Sequence, residues 1–541
     1  MLIPLVGLLA AILMIDGWSA RHDSLTYDEP THFRYGANIL RGDSNRFVDG
    51  TMPCSALNAL PQKLAPALPA GVARNALGRV ENGRWVTILF SLVLGLYVYR
   101  WARELYGPAA GLFSLFLYAL SPNIIAHARL VTTDVYAAGM VTISTYYFWK
   151  FANRGGWKLG ITSAILAGVS QLAKYSCVFI YPIFVAILVV RHWPSLVGLA
   201  RARDLAGAGR LVGAFAKHAA VFVVVGVLII NAGFLFNRPM VPFGQYEFRS
   251  EAMKDLQARL GAFRGVPVPT AYPYLDGLDW GKMREETGRG FGSMYLLGEL
   301  REIGGFKGYY VVAFLFKEPL AFQVFVVLAA ALYVLRRRRY AFMRNEVFLV
   351  VPVAFFVLYF NLAFKLQIGI RHFLVAVPLM QVFAGSLVSE WPALGRRMKA
   401  ALALLSVWLA ASVLSYFPYY IPYFNELVWD RKTAYRILAD SNLDWGQAAG
   451  EARQYKAQHP EAYLEEGMWH MKTYRERHWE EYEHPQFPDS GQIVVNVNNY
   501  VGIYHPHRYW WLRDKYKPVG HIAYAYLIFE VSPEAGAGTR R

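Results

Sequence analysis

Long apolar runs, interrupted by short basic segments and three long hydrophilic ones, organise this chain from end to end. A bilayer core about 30 Å thick takes roughly 20 apolar residues per helix, with about 17 as a working minimum. On that criterion the pattern predicts eleven membrane-spanning helices, at 2–18, 84–101, 109–126, 132–150, 159–174, 176–191, 217–235, 309–335, 346–363, 371–389 and 399–416. The first run has no basic stretch before it and passes into Arg21-His22-Asp23 rather than a small-residue cleavage site. It therefore reads as a retained helix and not as a signal peptide. The hydrophilic segments are 19–83, 236–308 and 417–541. The last is long enough for a small soluble domain, and residues 492–497 and 521–531 alternate or run apolar in the manner of strands. The expectation is an α-helical polytopic membrane module over 1–416, followed by a mixed α/β domain over 417–541. Residues 194–217, with Arg201, Arg203 and Arg210, read as an interfacial amphipathic helix suited to anionic headgroups. There is no internal repeat of 20 to 50 residues and no low-complexity tract.

Charge tests the span count. The net charge of +17 would raise the question of nucleic acid in a soluble protein, but 55% hydrophobic and only 17% charged residues describe a chain dissolved in lipid. The cations gather in alternate loops: Arg100 and Arg103; Lys150, Arg154 and Lys158; Arg191, Arg201, Arg203, Arg210 and Lys217; residues 336–339 with Arg344; and Arg396, Arg397 and Lys399. That ladder follows the positive-inside rule, and it puts all three hydrophilic segments on the non-cytoplasmic face. Cys54 and Cys177 show no metal-ligand spacing and no disulfide framework.

The residues that could carry chemistry lie on that outer face. Directly after the first span, Tyr27-Asp28-Glu29-Pro30 sets two carboxylates near the membrane surface. A carboxylate is the usual base for removing a proton from an attacking hydroxyl, and an acid before a proline is also an ordinary helix cap. Asp134, at the outer end of the fourth span, is costly in lipid unless paired or wetted, yet it would also complement a helix dipole. Lys174, Arg238, Lys317, Arg371 and His372 sit at the same outer level, against the topological rule, where a phosphate would give them a purpose. Lys365 reads as a snorkelling residue. The stretch Asp440-Ser441-Asn442-Leu443-Asp444-Trp445-Gly446-Gln447 is a turn with a C-capping glycine, or else a sugar-binding element in which Asn442, Asp444 and Trp445 take part. His32, Asp28, Glu29 and His372 leave a divalent cation open, but no ligand spacing connects them, so no cofactor or metal site is assigned.

Together these segments resemble the bacterial membrane glycosyltransferases related to protein O-mannosyltransferases and to the aminoarabinose transferases that modify lipid A. Tyr27-Asp28-Glu29-Pro30 with His32 and Gly36 looks like that family's first-loop motif, and Thr132-Thr133-Asp134 like its second acidic motif. Lys174-Tyr175-Ser176, the run from Gly304-Gly305-Phe306 to Lys317-Glu318-Pro319, Ile368-Gly369-Ile370-Arg371-His372, and Tyr423-Phe424-Asn425-Glu426 with the stretch from Asp440 follow in the same order, so the likeness spans roughly residues 20–450. The resemblance implies a GT-C fold, a polyprenyl-phosphate sugar donor and inversion at the anomeric carbon. It also implies that Asp28 is the catalytic acid residue with Glu29 beside it, that Asp134 assists, and that Lys174 and Arg371 touch the donor phosphate. One departure is plain. Where many relatives have His-Pro-Pro-Leu and a nearby lysine, this chain reads Thr51-Met52-Pro53-Cys54-Ser55-Ala56-Leu57, which weakens any role for Lys63.

The resulting expectation is a glycosyltransferase in a bacterial inner membrane, with a lipid-linked donor, a lipid, glycan or protein acceptor, surrounding lipid, and no nucleic acid. Transfer of an oligosaccharide from a diphosphate lipid is an alternative within this chemistry. A transporter or flippase is the alternative outside it, although repeated halves and midplane charges, the marks of a transporter, are not apparent. A scaffold whose terminal domain binds a partner is a third.

Overall fold

The computed structural model describes residues 2–46, 48–288, 290, 292–335, 341–389, 391–465, 487–488 and 490–532. All eleven apolar stretches are helical, but they are not equal. Five helices are long and apolar enough to cross a membrane: Leu2–His22, Val80–Tyr106, Tyr175–Ala202, Phe215–Gly233 and Arg396–Leu414. The number rises to seven when each of two bent pairs is taken as one span. The others are shorter or more polar. Asp134–Arg154 shows why: most of its residues, including Thr142, Ser144 and Thr145, are buried among neighbouring helices. A helix sheathed in protein has no need of an all-apolar surface. The chain is a multi-pass helical membrane protein, with fewer spans assured by length and composition than the eleven expected.

The bends have local causes. Pro108–Ala119 and Pro122–Ala128 meet at 66°, and Tyr309–Lys317 and Leu320–Leu335 at 111°. In the second pair Pro319 can give no hydrogen bond and holds Glu318 extended (φ −92°, ψ 142°). The carbonyls released there need donors, because lipid supplies none. Asn425 supplies three, its Nδ2 to Leu315 O (2.5 Å) and Glu318 O (2.8 Å) and its backbone N to Phe316 O (2.9 Å). Asn123 Nδ2 takes Lys317 O at 2.6 Å.

Charge is segregated between the ends of the bundle. Asp134 begins the 21-residue helix that Arg154 ends, a length of about 30 Å at 1.5 Å per residue. Around the Arg154 end, Lys150 pairs with Glu104 (3.1 Å), Arg191 donates to Asn153 Oδ1 (3.0 Å), and Asn153 donates to Arg344 O (2.8 Å). These are the basic loops of the sequence pattern; residues 336–339 lie outside the described residues. Residues 194–217 differ from expectation. They form the end of Ile180–Ala202 and the start of Leu205–Gly233, two long helices meeting at Arg203 (φ 51°) and capped by Asp204, whose side chain accepts from Gly207 N.

After the last long helix the chain forms a four-stranded sheet in the order Tyr463–Leu464, Gly491–Asn496, Tyr526–Val531, Gly520–Ile522. The first pair is parallel and the others antiparallel. Both expected strand regions are present, but residues 521–531 make a hairpin, turned at Ala523 and Tyr524 in left-handed backbone. One face of the sheet packs Val494, Ile522 and Ile528 on Ala448, Ala452 and Ala462. The other sends Ile493, Val495 and Phe529 into the same apolar cluster as Phe373, Leu374 and Leu443 of the helical part. Sheet and bundle therefore share a core, and their junction holds the site.

Candidate active site

Asp28 stands at the N-cap position of the helix Glu29–Ile39, with Pro30 in the first turn, yet its side chain makes no capping hydrogen bond. Its carboxylate instead meets Arg371 Nη1 at 3.2 Å, 343 positions away. Of the two readings of this tetrapeptide, capping is the one the geometry does not support.

What holds Asp28 there is its neighbour. Glu29 is fully buried, and Arg84 grips it with two bonds, Nε to Oε1 (2.8 Å) and Nη2 to Oε2 (2.7 Å). The same carboxylate accepts from Thr26 N (2.8 Å) and Val131 N (3.0 Å). Arg84 spends its remaining donors on the carbonyls of Ala20, Asp23 and Ser24. Burial alone would push the Glu29 carboxyl up, but the Arg84 charge and these hydrogen bonds outweigh it and hold its pKa below the ordinary value. Glu29 is an internal bolt fastening the first loop to the turn before Asp134, and none of its bonds reaches Arg371.

At the other side of the cluster Asp134 Oδ1 accepts from Lys174 Nζ at 2.5 Å, and Lys174 Nζ lies 3.3 Å from His372 Nδ1. His372 adjoins Arg371 in a 3₁₀ turn, Ile370–Val375, that follows Gly369. Gly369 has φ +138°, and a Cβ there would stand 2.4 Å from Ser441 Oγ, which donates to Ile368 O. Only glycine lets the turn from Asp440 approach so closely. That approach brings Trp445 beneath Arg371, whose guanidinium stacks 3.9 Å from the ring centre. The Trp445 carbonyl accepts from Tyr27 N (3.0 Å), closing the ring back to Asp28. Arg371 Nε and His372 Nε2 are buried without a hydrogen-bond partner among the described residues. Buried donors are nearly always satisfied, so this pair suits an anion. A carboxylate, a guanidinium, an ammonium and an imidazole thus face one another, a set able to accept a proton from a hydroxyl while holding a phosphate.

Asp28, Asp134, Lys174, Arg371, His372 and Trp445 are brought together. The remaining candidates are not. Lys317, fully buried, donates to Ile421 O and Asn442 O, each at 2.7 Å, and serves as a post between the bent helix and the C-terminal segment. Asn442 accepts from Ile370 N (3.0 Å) and donates to Tyr309 OH (2.9 Å), so it positions the Arg371 turn from behind. Asp444 is buried against Asn496 Nδ2 (2.9 Å) and Gly446 N (3.1 Å), and burial raises its pKa to about 6. Arg238 stacks 4.1 Å over Tyr272 within the second hydrophilic segment.

Two further groups border the cluster. His32 donates to or accepts from Ser55 Oγ (3.3 Å); burial, opposed by Asp28 and Asp134, lowers its pKa. Asp440, in left-handed backbone (φ 58°), has its N–H held by Asn498 Oδ1 (2.7 Å), and burial raises its carboxyl to about 7 despite the Ser441 N–H and Arg371. His32 is one helical turn from Asp28 and was readable from that spacing; nothing in the sequence announces Arg84 as the partner of Glu29. Among the described residues no group of three or more His, Cys, Asp or Glu side chains is arranged to hold a metal ion.

Residues 78–203 match the family model described as dolichyl-phosphate-mannose-protein mannosyltransferase. The chain resembles the GT-C glycosyltransferases of this type. The matched segment carries Arg84, Asp134 and Lys174 of the site, while Asp28 and Arg371 lie on either side of it. No curated protein matches the chain in sequence. Among solved structures the chain is similar to ArnT from Cupriavidus metallidurans bound to undecaprenyl phosphate, at 12% identity over 99% of each chain with a TM-score of 0.44. It is also similar to the Archaeoglobus fulgidus oligosaccharyltransferase in its apo form, at 14% identity over 92% of this chain and 69% of that one, with a TM-score of 0.46.

Proposed function

We propose that this chain is an inverting glycosyltransferase of a bacterial inner membrane, moving a sugar from a polyprenyl-phosphate donor to a hydroxyl acceptor at the periplasmic face. The observation that carries the reading is the pairing of Asp28 with Arg371 at 3.2 Å beside the Asp134–Lys174 pair at 2.5 Å. The order of the motifs and the family match over residues 78–203 support it.

In this reading Asp28 takes the proton of the acceptor hydroxyl as its oxygen bonds to the anomeric carbon. The bond from that carbon to the phosphate oxygen breaks, and the polyprenyl phosphate leaves with the electron pair. Arg371, Lys174 and His372 hold the departing phosphate, where fixed donors matter most because charge grows there in the transition state. Asp134 orients Lys174, and Trp445 orients Arg371. The division into a helical module (1–416) and a C-terminal domain (417–541) belongs to the same proposal. The helices form the donor side, and the C-terminal segment closes the site.

The test is incubation of the purified protein with a panel of polyprenyl-phosphate sugars and hydroxyl acceptors, comparing the parent with Asp28→Asn. Donor-dependent product from the parent and a loss on the order of 10²–10⁴ in the variant, at equal expression, are expected. Equal rates would remove Asp28 from the mechanism. Product formed only from diphosphate-linked donors would replace the donor class.

A further inference from the structure

The second hydrophilic segment carries an apolar surface. Residues 235–268 follow the membrane helix Phe215–Gly233 and come back to it in a two-stranded ribbon, Val241–Pro242 paired with Pro267–Val268. The return is fixed in height. Asn231, two residues before the end of the helix, donates from Nδ2 to Pro269 O at 2.7 Å, and Tyr272 N donates to Asn237 O at 3.0 Å. Residues 266–269 therefore lie level with the last turn of a membrane helix, where hydrocarbon gives way to headgroups.

Between the two strands stands the helix Glu251–Arg259, and it is turned the wrong way for a loop surrounded by water. Gln257 faces the protein, its Nε2 donating to Phe243 O (2.8 Å) and Tyr246 O (3.0 Å). Leu256 and Leu260 are exposed instead, as is Phe263 in the 3₁₀ turn that follows. Ala252, Leu256 and Leu260 recur every fourth residue along one side, while at 3.6 residues per turn Lys254 and Ala258 point to the other. In water the amide would be expected outside and the leucines inside. The apolar side continues onto Met240 and Val266 of the ribbon, 55% and 50% exposed, and onto Phe236, 60% exposed just past the membrane helix. An exposed patch of this kind marks a partner.

Its place and its borders say which partner. The patch begins where a lipid-facing helix ends, so it continues a surface that hydrocarbon already covers. Arg259 and Arg264, both exposed, stand beside it, with stems that can lie along apolar surface while the charges reach lipid phosphates. On the far side of the helix Lys254 Nζ donates to Glu251 Oε1 at 2.8 Å, a pair suited to water. Apolar residues on one side, cations at the edge and paired charges opposite describe a helix lying in a membrane interface. We infer that residues 235–268 are an interfacial anchor whose partner is the phospholipid leaflet at which Phe215–Gly233 ends, with Phe236, Met240, Leu256, Phe263 and Val266 seated among the upper acyl carbons. The anchor bears on the candidate site through Tyr274, which donates to Gln171 Oε1 at 2.9 Å, three residues before Lys174. The inference needs only that the chain crosses a bilayer, and it stands apart from the transferase reading.

The experiment is spin labelling of the full-length protein in nanodiscs of phosphatidylethanolamine and phosphatidylglycerol, with nitroxides at Met240→Cys, Phe263→Cys and Lys254→Cys. Cys54 and Cys177, part-buried and buried, stay in place, and the parent treated alike sets the background. All three positions are exposed, so the label displaces no packed side chain, and an unchanged melting temperature checks the fold. Power saturation compares access by oxygen, which concentrates in hydrocarbon, with access by a water-soluble nickel chelate. Oxygen favoured severalfold at Met240 and Phe263, with the chelate favoured at Lys254, is the expected result. Chelate access at Met240 and Phe263 equal to that at Lys254 would put the patch in water and overturn the assignment. Exclusion of both reagents would overturn it as well, and dipolar broadening between labels would then name a second copy of the chain as the cover.

Discussion

Arg371 stacks 3.9 Å from the ring centre of Trp445, a residue 74 positions further along a segment that leaves the bundle and returns to it. The stack fixes the plane of the guanidinium, so that one nitrogen addresses Asp28 while Nε remains without a partner among the described residues. A cation over an aromatic face is worth about 0.5–2 kcal/mol, the upper part when desolvated. Trp445→Ala should therefore lower donor-dependent turnover by roughly tenfold, while Trp445→Phe, which keeps a π face, recovers most of it. Steady-state kinetics on the two variants decide the matter, and identical losses for both would mean that Trp445 acts by bulk alone.

Asp134 and Lys174 are partners at 2.5 Å and should behave as one unit. Asp134→Asn and Lys174→Met are each expected to reduce kcat/KM for the donor by about 10- to 100-fold, and the double variant should be little worse than either single one. Multiplicative losses in the double-mutant cycle would show that the two act separately.

The buried Glu29–Arg84 pair makes a prediction about stability rather than chemistry. Both side chains are almost wholly inaccessible, at 0% and 1% exposure. Arg84→Met strands a carboxylate in the interior and should cost about 3–5 kcal/mol. Arg84→Met with Glu29→Leu should recover much of that loss, because replacing both charges by apolar groups removes the uncompensated one. Thermal unfolding in detergent distinguishes these outcomes; a double variant as unstable as the single would point to lost hydrogen bonds to Ala20, Asp23 and Ser24 instead.

Asp444 carries a pH dependence. Burial raises its carboxyl from 3.8 to about 6, so the folded state favours the protonated form. Its contribution to stability is complete below pH 4 and is lost as pH rises through 6, an effect bounded at about 3 kcal/mol by the size of the shift. In Asp444→Asn that slope disappears, so the melting temperature of the variant relative to the parent should climb between pH 4 and 7. Parallel curves for the two proteins over this range would show that Asp444 does not titrate there.

The local motifs single out Asp28, Asp134, Lys174 and Arg371, whose side chains the structure brings together, because each breaks a rule visible in a few neighbouring residues: acids and cations at the wrong level of a membrane helix. The same rule singles out Lys317, which the structure keeps apart from that cluster. A lysine awaiting a phosphate and a lysine satisfied by two backbone carbonyls look alike in an apolar run, and only the return of Ile421 and Asn442 separates them. Glu29 adjoins Asp28 in sequence, yet consecutive residues at the start of a helix point about 100° apart, and its partner Arg84 lies 55 residues away. Asp134–Arg154 has the length but not the hydropathy of a lipid-facing helix, since hydropathy registers exposure to lipid and this helix has little. The strand pair at 520–531 was visible as one apolar stretch; its hairpin turn depends on left-handed Ala523 and Tyr524, neither of which advertises it.

The plug that Asn425 inserts into the break at Pro319 sets an order of biogenesis. Gln323 Nε2, within the same bent pair, already donates to Leu315 O and Glu318 O, each at 2.9 Å, but until a ribosome has delivered residue 425 the Phe316 carbonyl lacks its native donor, Asn425 N, at a cost of several kcal/mol wherever lipid replaces water. Insertion of that hairpin can be provisional at best while the last quarter of the polypeptide is unwritten. A stop codon placed after Leu414 would yield not a tailless enzyme but an unfinished membrane domain, the kind of product that quality-control proteases remove.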